Sequence, residues 1–340
     1  MTVLTNAPAI HEVPAITSPV APLAPPSLVL GCMAMTGSYG ALPRQQALDT
    51  IARYLECGGR WIDTAALYAD GENESLLEVA LRGRRDHVVL CTKIGYAKTP
   101  EGVRTLDARP AAIAAECEAS LRRLGTDCVD LLYLHRLDPN TPIEDSVGAM
   151  QRLLEAGKTR AIGLSEVSIE TLDRALRIAP IAALQSEYSL WSREPERDVL
   201  VACRDRGVAF FGYAPLGRGF LSGEIRRPED LPEGDQRRGW PRFQGENFVL
   251  NLALVDKVRS LAGRLGLSAA QLALAWAART QSAASVPIVG ATSADQVDEA
   301  FVVLQTPIDA GVWEDIERVF PFGNVAGERY PDAAMRRLGR

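Results

Sequence analysis

Lysine is scarce in this chain: only four of its 37 cationic residues are Lys. A lysine set inside an apolar run therefore stands out. Basic runs are also missing. Arg and Lys alternate with Asp and Glu, the net charge is −6, and no cation precedes Arg44. That pattern offers no electrostatic footprint for nucleic acid or an anionic membrane surface. Residues 1–26 are rich in Ala and Pro but lack an apolar stretch of signal-peptide length, so they read as an irregular arm and not as an export signal or membrane anchor. The six cysteines include no Cys-x-x-Cys, which reads as reduced thiols in the cytoplasm. The three histidines include no close pair, which argues against a zinc site of the usual His spacing.

What is present is an ordinary globular composition, 47% apolar and 24% charged over 340 residues, enough for a large core and suited to small-molecule chemistry. From residue 27 an apolar strand-like run is followed by a helical pattern, and this happens eight times. The strand runs fall at about 27–35, 60–65, 87–95, 128–135, 159–166, 181–190, 208–216 and 285–291. Runs apolar enough to be buried on both faces, each followed by a helix, predict a closed parallel α/β barrel, the (β/α)8 or TIM barrel, as a single domain over 27–320. A stretch at 222–251 is too long for a simple connection and reads as a lid or binding loop after the seventh strand. The polar segment 321–340 reads as a loosely ordered C-terminal tail.

In such a barrel the site lies at the C-terminal ends of the strands. Asp63 closes the second strand run, Tyr68 follows five positions on, Lys93 lies in the third, and His135 ends the fourth. Each alone has an ordinary reading, as a turn cap, a packed ring, a snorkelling cation or a core histidine. Together they make a proton-transfer device. An ammonium about 4 Å from a tyrosine supplies up to ~4 kcal/mol at an effective dielectric near 20, enough to lower its pKa. Asp63 would keep Lys93 charged against burial, His135 would orient a carbonyl oxygen, and Tyr68 would be the general acid. After the seventh strand run, the segment from Tyr213 through Leu216, Gly217, Arg218 and Gly219 offers glycine amides and a guanidinium to a pyrophosphate. After the eighth, Gly290 to Ser293 opens a helix whose free N–H groups suit a phosphate.

These motifs resemble the aldo-keto reductase superfamily. The likeness rests on Gly31-Cys-Met, Asp63-Thr-Ala-Ala-Leu-Tyr68, Thr92-Lys-Ile-Gly95, Leu134-His135 and Tyr213-Ala-Pro-Leu-Gly217, in that order along the chain. It implies that Asp63, Tyr68, Lys93 and His135 match the catalytic tetrad of a nicotinamide-dependent carbonyl reductase. Ser165 and Gln185 match positions that hold the nicotinamide carboxamide, with Glu166 beside them, and Tyr213 matches the ring that stacks on the nicotinamide. Leu216 to Gly219 match the pyrophosphate loop, and Gly290, Thr292, Ser293, Gln296 and Glu299 match the adenosine phosphate site. Within the superfamily, Gly163-Leu-Ser-Glu166, Tyr188-Ser-Leu-Trp-Ser-Arg193 and Pro241-Arg-Phe-Gln-Gly-Glu-Asn247 look like the branch that contains perakine reductase and bacterial relatives.

The likeness implies NADPH as cofactor. Thr292-Ser293 stands where many members carry Arg or Lys for the 2′-phosphate, which leaves NADH open, and Ala300 replaces a frequent Asn. Loops around Tyr39, Tyr96 and Trp191 are the expected substrate contacts for an aldehyde or ketone. Two other readings stand beside this one. Glu166 and Glu187 could be the carboxylate pair of a barrel glycosidase, or the chain could be a non-catalytic nucleotide-binding subunit.

Overall fold

The computed structural model of the chain describes residues 25–99, 101–279 and 285–339. All but the last two residues of the expected arm over 1–26 lie outside the described residues. The chain opens with β1 (Val29–Gly31), α1 (Arg44–Glu56), β2 (Trp61–Asp63), α2 (Glu72–Ala80) and β3 (Val89–Ile94). A short antiparallel hairpin, β4 (Tyr96–Lys98) and β5 (Arg104–Leu106), follows and leads to α3 (Pro110–Leu124). Next come β6 (Leu131–Leu134), α4 (Ile143–Glu155), β7 (Ile162–Ser165), α5 (Ile169–Leu176), β8 (Ile181–Glu187), α6 (Val199–Asp205) and β9 (Ala209–Tyr213). The chain continues through α7 (Gly245–Arg264), α8 (Ala269–Ala278), β10 (Ser285–Gly290), α9 (Ala294–Gln305), α10 (Ala310–Val319) and α11 (Asp332–Met335).

Eight parallel strands close into a barrel in the order β1-β10-β9-β8-β7-β6-β3-β2. The architecture is the (β/α)8 barrel expected. Because strand side chains alternate, one set from every strand fills the interior and the other meets the helices. Val29, Trp61, Cys91, Leu131, Tyr133, Ala183, Phe211 and Val286 belong to the inner set. Leu30, Ile62, Leu90, Leu132, Leu164, Leu184 and Phe210 belong to the outer core beneath the helices. Large and small residues complement each other inside: Tyr133 lies so close to Gly163 that a Cβ there would stand 2.6 Å from its ring.

Helix ends follow local chemistry. Pro110 occupies the first turn of α3, where its missing N–H is harmless, and Gly125 ends that helix in left-handed backbone. Ser168 caps α5 and Ser268 caps α8, the latter in a reciprocal capping box with Gln271. Sequence reading missed the hairpin β4–β5, whose strands are three residues each, and it missed α10. The 222–251 stretch forms 3-10 turns at Pro228–Asp230, Gln236–Gly239 and Pro241–Phe243 before α7 begins. The segment after Pro321, expected to be loosely ordered, instead returns to the barrel mouth, where Arg329 is only 5% exposed.

Candidate active site

The strand period that packs the interior also builds the site. Trp61 points inward, so Asp63 two residues on does too, at the C-terminal end of β2. The same step leads from Cys91 to Lys93, from Tyr133 to His135, from Gly163 to Ser165, from Ala183 to Gln185 and from Phe211 to Tyr213. The site is thus the uppermost layer of the barrel core, and its residues turn polar where the interior meets the mouth.

Lys93 is fully buried, and its three N–H bonds have three partners: Asp63 Oδ1 at 2.5 Å, the Thr64 carbonyl at 2.7 Å and the Tyr68 hydroxyl oxygen at 3.2 Å. Gln185 Nε2 donates to the other Asp63 oxygen at 2.9 Å. Burial opposes the Lys93 ammonium, but Asp63 and then Tyr68 more than offset it, so its pKa lies above the ordinary lysine value.

Tyr68 requires a correction. Burial is the larger effect on its hydroxyl and raises its pKa above the usual phenol value, although Lys93 works in the opposite direction. The ammonium therefore limits the rise and does not produce a net fall. Because Lys93 donates to the Tyr68 oxygen, the phenolic proton is left to point elsewhere, and Tyr68 lines the cavity. The chain turns sharply just after it: Ala69 and Asp70 both adopt left-handed backbone, with φ of 46° and 55°. Asp70 pairs with Lys98 at 2.8 Å and Arg104 at 3.0 Å, which ties this turn to the hairpin.

His135 packs edge-on against both Tyr68, at 5.9 Å, and Tyr96, at 5.3 Å between ring centroids. Burial, then the nearby Arg136 and Lys93 charges, holds it well below the usual imidazole pKa, so it is neutral. Its Nδ1 is buried with no hydrogen-bond partner among the described residues. A neutral imidazole there can donate from one nitrogen and bring no net charge.

A cavity of about 720 Å³ runs from Tyr68 and His135 to the N-terminus of α9. Ser165, Gln185 and Tyr213 line its near end; Leu216, Arg218 and Gly219 its middle; Gly290, Thr292, Gln296 and Glu299 its far end. Three expected cofactor residues do not line it. Glu166 lies behind Tyr213, Gly217 packs against Trp191 and Leu221, and Ser293 is spent capping α9. Tyr39 and Tyr96 do reach the cavity. Trp191, expected among the substrate contacts, is instead buried in an aromatic cluster with Phe220 at 4.5 Å and Phe243 at 5.5 Å.

The other half of the mouth is a network of paired charges. Arg218 pairs with Glu187 at 2.7 Å, lies over the Trp240 ring at 4.5 Å and donates to the Tyr39 and Tyr330 hydroxyl oxygens. It is thus committed to protein partners in addition to facing the expected pyrophosphate. Arg329 holds both oxygens of Glu166 at 3.0 Å, and the Tyr213 hydroxyl donates to Glu166 at 2.8 Å. Burial opposes ionisation of both carboxyls, yet Arg329 and Arg136 hold Glu166 below its usual range, while Arg218 and Arg329 bring Glu187 to about 2. The glycosidase alternative is not favoured, since each of these carboxylates is already bound to a guanidinium partner.

Sequence reading missed Arg136, Arg237, Trp240 and Tyr330, all on the cavity wall. Arg136 immediately follows His135, and that adjacency was the one available signal. Tyr330 had none, being 117 residues from Tyr213 along the chain.

The donor set suits a dinucleotide. Three guanidinium groups, of Arg136, Arg218 and Arg237, face the cavity, and Ala214, Gly217, Arg218 and Gly219 take left-handed backbone where the loop after β9 bends around it. The far end carries neutral groups and Glu299.

Comparison with known proteins places this geometry. The aldo/keto reductase family model matches residues 27–320. The aldo-keto reductase yakc [NADP(+)] of Schizosaccharomyces pombe is 39% identical over 319 residues, covering 92% of this chain and 94% of its own. The structure of glycerol dehydrogenase AKR11B4 from Gluconobacter oxydans superposes with a TM-score of 0.81 at 28% identity and covers 98% of both chains. An aldo/keto reductase from Klebsiella pneumoniae in complex with NADP and acetate gives a TM-score of 0.71 at 28% identity, covering 94% of this chain and 99% of its own. A family match along the whole barrel, joined to a relative similar over nearly its full length, leads to one conclusion: the chain belongs to the aldo/keto reductase family.

Proposed function

We propose that this chain reduces an aldehyde or ketone to an alcohol with a hydride from NADPH, and that Tyr68 is the general acid. The observation that carries the reading is the triple donation from Lys93. With Asp63, the Thr64 carbonyl and the Tyr68 oxygen as its acceptors, the ammonium lowers the cost of phenolate character on Tyr68 while that group gives up its proton. His135, neutral and beside Tyr68, hydrogen-bonds the carbonyl oxygen and places it to receive that proton. Arg136, Lys93 and the Tyr68 dipole make the pocket favourable to the negative charge that develops on this oxygen.

When bound, the nicotinamide cofactor supplies the hydride. Ser165 and Gln185 would hold its carboxamide end, Tyr213 would present a ring beside it, and Leu216, Arg218 and Gly219 would receive the pyrophosphate. Gly290, Thr292, Gln296 and Glu299 form the adenosine end. The relative from Schizosaccharomyces pombe is named for NADP(+), and the Klebsiella pneumoniae structure holds NADP, which supports NADPH over NADH. Tyr39 and Tyr96 flank the substrate. Among the described residues no helix is long and apolar enough to cross a membrane. The unpaired cysteines favour a cytoplasmic setting.

Titration of the protein with NADPH and separately with NADH, read by nicotinamide fluorescence, tests cofactor binding. Nicotinamide absorbance with a panel of aldehydes and ketones then tests turnover. Saturable NADPH binding with carbonyl-dependent oxidation is expected; absence of binding to either nucleotide would overturn the reading.

A further inference from the structure

A partly buried carboxylate stands behind the wall of the mouth, on α3. Glu116 Oε2 accepts the Gly95 N–H at 2.7 Å, and the Tyr96 amide also faces it. Gly95 is where the chain leaves β3, two residues after Lys93, in left-handed backbone with φ of 110°. A Cβ at Gly95 would lie 2.9 Å from Leu134 Cδ1 and 3.9 Å from the His135 backbone nitrogen. This turn is therefore pressed onto the strand end that carries His135. The next side chain, Tyr96, sets its ring edge-on to the His135 imidazole and lines the cavity. On the far side of the hairpin the Asp70 pairs are half-exposed and weak in salt. The Glu116 contact is sheltered and charge-assisted, so it is the stronger of the two anchors.

We propose that Glu116 is a positioning residue which, by anchoring the Gly95–Tyr96 backbone, fixes the Tyr96 ring against His135 and so sets how the flank of a carbonyl substrate is received. It touches neither substrate nor cofactor nor the reacting atoms, and the inference rests on the reductase reading of the site. Burial first, and then Glu74 on α2, raises the Glu116 pKa to about 7, while the Gly95 and Tyr96 amides and Arg123 on α3 act in the opposite direction. Towards this side β3 presents Thr92, bound to Glu74, whereas Lys93 faces the interior. The anchor is a carboxylate above about pH 7 and a weaker neutral acceptor below it. His135 titrates well below this range and Tyr68 above it, so neither masks the effect.

The test uses the full chain with NADPH and two probe substrates, 4-nitrobenzaldehyde and propanal. As pH falls from about 8 to about 6, wild-type KM for the aromatic probe should rise roughly fivefold with kcat within about twofold. Glu116→Gln, which keeps a neutral acceptor, should hold the higher KM at both values, and Glu116→Ala should raise it further. Amide hydrogen exchange over residues 94–107 reads the anchor without turnover: Glu116→Ala should accelerate it there and nowhere else in the barrel. Equal KM values and unchanged exchange across all three proteins would overturn the proposal. Altered exchange without carbonyl turnover in the wild type would sustain the anchor and overturn the reductase reading instead.

Discussion

Two buried ionic clusters share the barrel mouth, and they are built on opposite plans. On the β2–β3 side one cation, Lys93, serves a carboxylate, a carbonyl and a tyrosine, and the neighbouring His135 keeps an unpartnered nitrogen. On the β7–β9 side two carboxylates, Glu166 and Glu187, are matched by Arg329 and Arg218, and the tyrosines Tyr213 and Tyr330 bind each other as well as the charges. In the second cluster each carboxylate is matched by a guanidinium, although Arg218 Nε and Arg329 Nε have no partner among the described residues. The first leaves a proton and an imidazole to the cavity. The contrast lies in what each side of the mouth holds: an unpartnered imidazole nitrogen and a free phenolic proton on one side, and carboxylates already matched by guanidinium groups on the other.

Removing the proposed proton donor should separate the two clusters most sharply. Tyr68→Phe is expected to lower kcat by about 10²- to 10⁴-fold while nicotinamide fluorescence still reports cofactor binding. Wild-type turnover in that variant would remove Tyr68 from its role. Lys93→Met should also abolish most turnover, and because it strands Asp63 without its cation it should cost about 3–5 kcal/mol of stability in denaturant unfolding. A fully stable Lys93→Met protein would show that Asp63 is neutral or otherwise paired.

The arginine–glutamate cluster predicts the converse pattern. Glu187→Gln should lower stability by roughly 2 kcal/mol and change the affinity for NADPH while leaving the single-turnover hydride step within about threefold of wild type. A collapse of the chemical step in that variant would erase the distinction drawn between the clusters. The smallest effect is one of pH. Glu187 is held at about 2 in the fold, so its contribution is complete above the ordinary carboxylate value of about 4.5 and declines as pH falls towards 2. Unfolding midpoints measured across that window should decline in the wild type and decline less in Glu187→Gln.

Much of this was legible beforehand, for identifiable reasons. Strands buried on both faces leave long apolar runs, which is why all eight barrel strands could be placed from the sequence. Lys93 was conspicuous because lysine is rare here, and His135 because it ended an apolar run. What escaped were contacts between residues distant along the chain. Arg329 meets Glu166 across 163 positions, and Glu116 reads as one more polar residue on a helix until the fold sets it under Gly95. The pKa of Tyr68 escaped for another reason: proximity to Lys93 can be inferred from spacing, but the depth of burial that opposes it cannot. Trp191 illustrates the reverse error, an aromatic next to a mouth motif whose ring is needed for packing.

The scarcity of lysine has one more consequence. Of the four lysines, Lys98, Lys158 and Lys257 reach the surface, while Lys93 is 1% exposed and fully hydrogen-bonded. Amine-acylating reagents therefore meet only three accessible side chains on a protein whose remaining cations are arginines inert to them. Coupling to a support or a dye through amines would decorate the exterior and leave the buried Lys93 ammonium unmodified, so the chain is suited to immobilisation by that chemistry.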